Sequence, residues 1–275
     1  MVDLEAILAA RERLQGIART TPLLESRTWG AIAGAPVYLK AENLQRTGSF
    51  KIRGATNVIA SLDAEERARG VIAASAGNHA QGVAVAAAAA GIPALIVMPE
   101  SAAFAKIEAT RGYGAEVVQI GADFMAATAA MQAFARERGL TIIHAFDDER
   151  IIAGQGTLGV EICEGLPEAE LIVVPVGGGG LAAGVATAVK ELLPRAAVIG
   201  VQAAASPAAA LLLQGLPPQQ SRPTIADGIA VGEPGSLTVP ILHRLLDDIE
   251  CVDEESIAEA MVRLLEFSKL VVEGA

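Results

Sequence analysis

The stretch Leu171-Ile-Val-Val-Pro-Val176 is followed by four glycines, Gly177 to Gly180, and then by Leu181-Ala-Ala-Gly-Val-Ala-Thr-Ala-Val189. The apolar run predicts a strand and the alanine-rich run a helix, so the glycines form the turn between them. Without Cβ atoms, backbone N–H groups can close on an anion, and the positive end of the helix dipole adds to the attraction. The stretch therefore indicates a phosphate-binding turn, with a plain tight turn as the alternative.

Two common phosphate-binding motifs do not fit this turn. The glycines are not followed by Lys-Ser or Lys-Thr, as in nucleoside-triphosphate loops, and their spacing is not that of the dinucleotide fingerprint. The remaining candidate ligand for this turn is a smaller phosphorylated group.

Strand-like and helix-like runs alternate on both sides of the turn. Strands are predicted at 71–74, 92–98, 115–120, 140–144, 171–176, 198–201 and 249–252, with helices between most of them and Asp253 capping a helix over 254–268. Residues 205–237, rich in Pro, Gly and Gln, are predicted as loop. Parallel neighbours need crossover connections of this length. We therefore expect an α/β fold of two lobes, each an open, mostly parallel sheet flanked by helices.

The lobe boundaries follow the two series of strands. We expect residues 1–62 and 147–275 to form the larger, cofactor-binding lobe and residues 63–146 to form the smaller one.

Composition narrows the class of partner. The net charge of -11 repels nucleic acid and anionic membranes, and apolar runs are interrupted before the roughly 20 residues that a membrane span needs. The acidic N-terminus shows no secretory signal, so a cytoplasmic protein is expected. The two cysteines and three histidines lack metal-type spacing, which argues against a zinc site. A small-molecule partner is the expectation.

Lys51 lies in Ser49-Phe-Lys-Ile-Arg-Gly54, next to a helix predicted from residue 54 to residue 62. An ammonium group is unfavourable near a helix N-terminus, which lowers the pKa of the amine. A neutral amine can form a Schiff base with an aldehyde cofactor. The alternative is a solvated surface lysine. A phosphorylated aldehyde that bonds to lysine is pyridoxal phosphate, and the glycine turn supplies the site for its phosphate.

A third motif, Ser75-Ala-Gly-Asn-His79, follows the strand predicted at 71–74 and opens the next helix. Ligands bind at this edge of α/β sheets, and loop N–H groups, the Ser75 hydroxyl and the helix dipole suit a carboxylate. The Asn78 amide can bond a phenolic oxygen of the cofactor ring. Simple capping by Ser75 and Asn78, and a structural role for His79, are the alternatives.

Four motifs together resemble a known family. Ser49-Phe-Lys-Ile-Arg-Gly54, Ser75-Ala-Gly-Asn-His79, Gly177-Gly-Gly-Gly-Leu181 and Ala226-Asp-Gly228 resemble, in order and spacing, the motifs of threonine dehydratases. These belong to the tryptophan-synthase-β-like group (fold type II) of pyridoxal-phosphate enzymes, which also contains serine racemases. The resemblance covers nearly the whole chain, and it implies that the cofactor lies in the cleft between the two lobes.

The resemblance implies a role for each motif residue. Lys51 is the Schiff-base lysine and catalytic residue, and Phe50 packs beside the cofactor ring. Asn78 bonds the ring hydroxyl, while Gly228 and Glu273 lie next to the cofactor. The phosphate is held by Gly177, Gly178, Gly179, Gly180 and Leu181, and the substrate carboxylate is held by Ser75, Ala76, Gly77, Asn78 and His79.

The implied reaction is β-elimination from a 2-amino-3-hydroxy acid. Lys51 removes the Cα proton, hydroxide leaves with a proton that the cofactor phosphate supplies, and L-threonine yields 2-oxobutanoate and ammonia. A racemase or racemase/dehydratase of the same family is the alternative. Related serine racemases carry a serine at the position of Ala76, and a methyl group cannot carry a proton, which favours elimination.

Three further expectations come from the resemblance. Some relatives bind a divalent ion through acidic residues after the strand that ends here at Val201, but residues 202–208 contain no carboxylate, so no metal is predicted. Relatives form homodimers or homotetramers and serve isoleucine biosynthesis or catabolism. They also continue beyond Glu273-Gly-Ala275 to a Ser-Gly-Gly-Asn-type loop that meets the pyridine nitrogen, so a truncated, catalytically silent ligand-binding remnant is a further alternative.

Overall fold

The computed structural model describes residues 2–217 and 219–275. The elements in chain order are α1 (Leu4–Arg13), β1 (Leu23–Glu25), α2 (Arg27–Ala33), β2 (Tyr38–Lys40), α3 (Lys51–Ala60), α4 (Ala64–Arg69), β3 (Val71–Ala74), α5 (Asn78–Ala90), β4 (Ala94–Met98), α6 (Phe104–Gly112), β5 (Glu116–Gln119), α7 (Phe124–Arg138), β6 (Thr141–Ile142), α8 (Glu149–Gly165), β7 (Leu171–Pro175), α9 (Gly180–Leu192), β8 (Ala197–Ala203), α10 (Ala208–Leu213), α11 (Thr238–Leu245), β9 (Asp248–Val252) and α12 (Glu254–Arg263). Short 3-10 turns lie at Glu42–Leu44 and Asp227–Ile229, and a π-helical turn lies at Leu264–Ser268.

Two parallel sheets form the framework. One has four strands in the order β5-β4-β3-β6, and the other has three in the order β7-β8-β9, while β1 and β2 form a small antiparallel pair. The strands of the larger sheet are almost completely buried at β3 and β4, since helices cover both faces. The prediction of open parallel sheets flanked by helices is confirmed. The predicted lobe boundaries stay a prediction.

Helix ends lie where their capping residues require. The Asp253 side chain accepts a hydrogen bond of 2.8 Å from Ser256 N and starts α12, as predicted. Gly91 and Gly139 end α5 and α7 in the left-handed conformation, with φ of 66° and 64°. Within the ranges described, no helix is both long and apolar enough to cross a membrane.

The prediction of loop over residues 205–237 is wrong in part, because α10 lies inside this range and α11 begins directly after it. The buried residues Ala208 to Ala210 seat α10 against the sheet, and the Gln202 side chain accepts a hydrogen bond of 3.0 Å from Ala210 N. This contact joins α10 to the preceding strand β8 through a side chain, and it leaves no periodic signal in the local sequence. The predicted helix over 254–268 changes to a π-helical turn at Leu264.

Three helices that lead to the cleft cross at glycines. A Cβ atom at Gly82 of α5 would lie 2.9 Å from the backbone nitrogen of Ile52 in α3. A Cβ atom at Gly154 of α8 would lie 2.6 Å from the Cα atom of Gly54 in α3. Neither position has room for a side chain, so α3 lies in backbone contact with both α5 and α8.

The same type of crossing joins α8 to α9. A Cβ atom at Gly184 would lie 2.6 Å from Gly156 N, and one at Gly156 would lie 2.6 Å from the Cδ1 atom of Ile7. These glycines sit among the buried side chains of the core beneath the β7-β8-β9 sheet. Because α3 and α9 both pack on α8, α8 sets the distance between their N-termini.

A buried charge cluster anchors α3. The Arg53 side chain is 1% exposed and donates two hydrogen bonds to the Glu42 carboxylate, at 2.9 and 2.8 Å. It also donates to Glu161, at 2.6 and 3.0 Å, and Lys40 donates to the same carboxylate at 2.6 Å. Burial lowers the pKa of Arg53, but the hydrogen bonds to the two carboxylates outweigh it and raise that pKa overall. The guanidinium therefore stays charged and satisfied in the interior.

The close contact of α8 and α9 at their glycines predicts that one added methyl group destabilises the fold. Gly184→Ala is expected to lower the free energy of unfolding by about 1–3 kcal/mol, because the methyl group overlaps the backbone of α8. The matched control is Gly112→Ala at the end of α6, where the added Cβ atom would have no atom of the described residues within 4 Å apart from its chain neighbours and the backbone of its own helix. Urea unfolding of both variants measures the difference, and equal stability of the two would contradict the packing described.

Candidate active site

The three sequence motifs meet in one cleft. It is lined by the N-termini of α3, α5 and α9 and by the C-terminal segment, and every residue selected from the sequence lies on its wall: Phe50, Lys51, Ser75, Ala76, Gly77, Asn78, His79, Gly177, Gly178, Gly179, Gly180, Leu181, Gly228 and Glu273. The cavity has a volume of about 2240 Å³ and continues along the exposed face of β7. The motifs therefore line the same cavity.

The glycine loop is closed from behind by protein atoms. A Cβ atom at Gly180 would lie 2.9 Å from the carbonyl oxygen of Phe146, and one at Gly178 would overlap the Phe146 ring. Gly179 adopts a φ of 94°, and its Cβ atom would lie 2.8 Å from the hydroxyl oxygen of Thr238. Glycine is thus required at all three positions by the packing behind the loop, and at Gly179 also by the backbone conformation.

The open side of this loop presents hydrogen-bond donors. Within residues 2–217 and 219–275, the amide N–H groups of residues 178 to 181 donate to no protein atom. They lie at the N-terminus of the 13-residue helix α9, where the helix dipole is positive. Unpaired donors at a helix N-terminus suit a phosphate, so the loop fits the phosphate of pyridoxal phosphate.

The Lys51 amine lies in the same cleft and is held by a carbonyl oxygen. Its Nζ atom donates a hydrogen bond of 3.1 Å to the carbonyl oxygen of Ala145 and lies 5.3 Å from the centre of the Phe50 ring. Burial lowers the pKa of Lys51 to about 8, although the Glu273 carboxylate acts in the opposite direction. Lys51 is the first residue of α3, so it lies at the helix N-terminus as expected, although the helix begins three residues earlier than the predicted start at residue 54. Its amine therefore fits the role of a cofactor-binding nucleophile.

The Ser75–His79 loop connects β3 to α5. The Ser75 hydroxyl accepts a hydrogen bond of 3.1 Å from Gly77 N, which leaves its own hydrogen free to donate. Asn78 is the first residue of α5, and its side-chain Nδ2 donates to the Glu273 carboxylate. The loop therefore places a hydroxyl, an amide and a helix N-terminus at the same edge of the cleft.

The side chain of His79 is buried in the protein core. The imidazole Nε2 lies 2.9 Å from the carbonyl oxygen of Ile143, which only accepts hydrogen bonds, so Nε2 carries the proton. Burial, followed by the charge on Lys51, lowers the pKa of His79 to about 3. The ring is neutral at physiological pH and brings no positive charge to the loop. The structural role that the sequence left open for this side chain is therefore observed.

Glu273 and Gly228 close the cleft near the C-terminal segment. Partial burial raises the pKa of Glu273, while the hydrogen bond from Asn78 acts in the opposite direction. A Cβ atom at Gly228 would lie 2.8 Å from the Cβ atom of Ala275 and 3.9 Å from the Glu273 carboxylate. Gly228 therefore allows the C-terminal segment to approach, which places Glu273 at the cleft.

Metal ligation finds no support in the residues that the structure describes. No group of three or more His, Cys, Asp or Glu side chains among them is arranged to hold an ion. The absence of a metal at residues 202–208 stays a prediction.

One segment of the site was missed by the sequence analysis. His144 to Asp147 follows β6, and it supplies the carbonyl that holds Lys51 and the Phe146 ring behind the glycine loop. The His144 ring Nδ1 accepts hydrogen bonds from Phe146 N, at 3.2 Å, and Asp147 N, at 2.7 Å. The one available signal was its position after a parallel strand, at the edge where ligands bind.

Comparison with known proteins agrees with this geometry. A protein of Thermotoga maritima named "L-threonine ammonia-lyase" is 50% identical over 277 residues, covering 100% of this chain and 69% of that protein. The structure of maize serine racemase is 36% identical with a TM-score of 0.96, covering 99% of this chain and 83% of that one. A threonine deaminase from T.th. is 42% identical with a TM-score of 0.93, covering 99% of this chain and 89% of that one.

The family match extends over most of the sequence. Residues 14–275 match the family described as "Pyridoxal-phosphate dependent enzyme", which confirms the cofactor and the fold type inferred from the four motifs. Because this match spans nearly the whole chain and the relative from Thermotoga maritima is 50% identical over 100% of it, this chain belongs to the pyridoxal-phosphate dependent enzyme family.

Proposed function

We propose that the chain is a pyridoxal-phosphate-dependent L-threonine ammonia-lyase. It converts L-threonine to 2-oxobutanoate and ammonia, and L-serine to pyruvate and ammonia. The 50% identical relative carries this name, and the T.th. structure is titled a threonine deaminase. The two substrates differ by one methyl group, which a pocket distinguishes by about 10- to 200-fold.

The observation that carries the proposal is the environment of Lys51. Its amine is held by the Ala145 carbonyl at 3.1 Å, and burial lowers its pKa to about 8. An amine with such a pKa is neutral in an appreciable fraction of molecules near pH 7, so it could act as the base that takes a proton from the substrate Cα atom. A lysine paired with a carboxylate would stay protonated and lose this ability.

The bound cofactor supplies an electron sink that stabilises negative charge at the substrate Cα atom. Around it, the residues of the chain orient the reacting groups. The N–H groups at the start of α5 and the Ser75 hydroxyl hold the substrate carboxylate, which fixes the Cα–H bond toward Lys51. The Phe50 ring packs beside the cofactor and keeps water from the Lys51 amine.

Asn78 and Glu273 act as a pair at the cofactor ring. One Nδ2 hydrogen of Asn78 is donated to Glu273, and the amide has a second hydrogen for the phenolic oxygen of the cofactor. The carboxylate therefore fixes which way the Asn78 amide points. This arrangement supports the role in cofactor binding proposed for both residues.

Racemisation is the second candidate, because maize serine racemase aligns with a TM-score of 0.96. Inverting Cα requires a second proton carrier on the face opposite the lysine. Ala76, on the Ser75–His79 loop, presents only a methyl group at the cleft wall. Its side chain supports elimination as the main reaction.

The cellular location, assembly and metabolic role of the enzyme are further predictions. We infer that the chain acts in the cytoplasm, assembles as a homodimer or homotetramer, and serves threonine breakdown or isoleucine biosynthesis. Light scattering on the purified chain measures its assembly.

The first prediction for this function concerns the formation of 2-oxobutanoate. The purified chain with added pyridoxal phosphate is expected to form 2-oxobutanoate from L-threonine, and Lys51→Ala is expected to abolish it, because the amine that bonds the cofactor and takes the proton is lost. Lys190→Ala, which removes an ion pair with Asp247 near the end of α9, is the matched control. Coupled reduction of the oxo acid measures the rate, and equal rates in the two variants would refute the role of Lys51.

A second prediction separates elimination from racemisation. With L-serine, pyruvate is expected as the main product and D-serine as a minor one, since Ala76 cannot return a proton to the opposite face. Ala76→Ser is expected to raise the share of D-serine. Chiral chromatography of the reaction mixture measures both, and D-serine as the main product of the unaltered chain would favour a racemase.

A third prediction follows from the pKa of Lys51. In the cofactor-free chain, acetylation of Lys51 is expected to rise about tenfold per pH unit below about pH 8 and to level off above it, since only the neutral amine reacts. Glu273→Gln removes a negative charge that stabilises the ammonium, so the midpoint moves to lower pH. Mass spectrometry, with free phenylalanine as reference, measures the midpoint; a value at the ordinary 10.5 would contradict the burial described.

A further inference from the structure

The glycine loop is held from behind by two residues that no motif contains. The Thr238 hydroxyl donates a hydrogen bond of 2.6 Å to the carbonyl oxygen of Gly178, and Gly235 N donates to the same oxygen at 3.2 Å. Thr238 is completely buried, and it is the first residue of α11. The carbonyl of Gly178 is therefore fixed toward α11.

Fixing this carbonyl also fixes an amide donor. In a planar trans peptide, the carbonyl of residue 178 and the N–H of residue 179 point in opposite directions. With the Gly178 oxygen directed at Thr238, the N–H of Gly179 points away from Thr238, toward the side where the loop lines the cleft. A flipped peptide would instead place an oxygen where the phosphate binds, and the two would repel each other.

Asp147 holds Thr238 in place. Its carboxylate accepts hydrogen bonds from Ser236 N at 3.0 Å, Leu237 N at 2.8 Å and Thr238 N at 3.3 Å, and also from the Ser236 hydroxyl at 2.9 Å. These N–H groups lie at the start of α11, whose own N-cap residue, Leu237, makes no side-chain cap. Asp147 therefore caps α11 from a distant part of the chain.

The same short segment reaches the catalytic lysine. Asp147 lies two residues after Ala145, whose carbonyl holds the Lys51 amine at 3.1 Å, and one after Phe146, whose ring packs on Gly178. The segment from Ala145 to Asp147 therefore contacts the lysine at one end and, through Thr238, the glycine loop at the other.

We propose that Thr238 and Asp147 are positioning residues that hold the glycine loop in its phosphate-binding conformation. Thr238 orients the Gly178 peptide, and Asp147 fixes Thr238 relative to the segment that holds Lys51. The inference rests on the proposed role of the loop in binding the cofactor phosphate, and it is independent of which amino acid is the substrate.

The test measures cofactor binding rather than turnover. Thr238→Val keeps the shape of the side chain and removes the hydroxyl donor, so the dissociation constant of pyridoxal phosphate is expected to rise about 10-fold. Thr238→Ser restores the donor and is expected to restore binding. Titration of the cofactor-free chain, followed by the visible absorption of the bound cofactor, measures the constant.

The matched control is Thr187→Val in α9. Thr187 is also buried, and its hydroxyl donates to the Ala183 carbonyl at 2.8 Å within the same helix that the loop opens. It loses the same kind of hydrogen bond without touching the loop, so its cofactor affinity should stay that of the unaltered chain. Equal weakening in Thr187→Val and Thr238→Val would show a general loss of stability and overturn the proposal.

Pyridoxal as a second ligand and Asp147→Asn as a second variant provide two further tests. Binding of pyridoxal, which has no phosphate, is expected to be the same for Thr238→Val and the unaltered chain, and an equal loss for both ligands contradicts the proposal. Asp147→Asn, at a half-buried site, is also expected to weaken pyridoxal phosphate binding, because Asp147 positions Thr238. This variant provides the test if Thr238→Val does not fold. If the unaltered chain binds pyridoxal phosphate no more tightly than pyridoxal, the loop itself does not bind phosphate.

Discussion

The distance between the lysine amine and the glycine loop depends on close backbone contacts among four helices. Gly82 brings α5 onto α3, the pair Gly54 and Gly154 brings α3 onto α8, and Gly184 brings α9 onto α8. At each crossing a single methyl group would overlap backbone atoms of the neighbouring helix. The three helix N-termini that line the cleft are therefore fixed relative to one another by helices in direct backbone contact, and α8 is the common support.

Two basic side chains at the start of α3, Arg53 and Lys51, have pKa values that are shifted in opposite directions. The guanidinium of Arg53 meets the carboxylates of Glu42 and Glu161, which keep it charged in the interior. The amine of Lys51 meets a carbonyl oxygen, and burial lowers its pKa to about 8. Residues two positions apart point to different sides of a helix, so one side of α3 anchors the fold while the other supplies a partly neutral amine.

The loop after β6 joins these parts. Ala145 holds Lys51, Phe146 packs behind the glycine loop, and Asp147 caps α11, whose first residue, Thr238, bonds the Gly178 carbonyl. The proposed phosphate site and the proposed catalytic lysine are thus contacted by adjacent residues of one turn.

The sequence by itself determined the alternation of strands and helices, the caps at Asp253 and Gly91, and the lysine, glycine and Ser75–His79 motifs, because local propensity and side-chain chemistry act over a few residues. It did not reveal α11 or the contacts of Asp147 and Thr238, and it left a structural role for His79 as one of two alternatives. The long-range contacts of His79, Asp147 and Thr238 join atoms of residues that lie 60 to 91 positions apart along the chain. Only packing in three dimensions brings such groups together, so only the tertiary structure decided which donors face the cleft and which amine loses its charge.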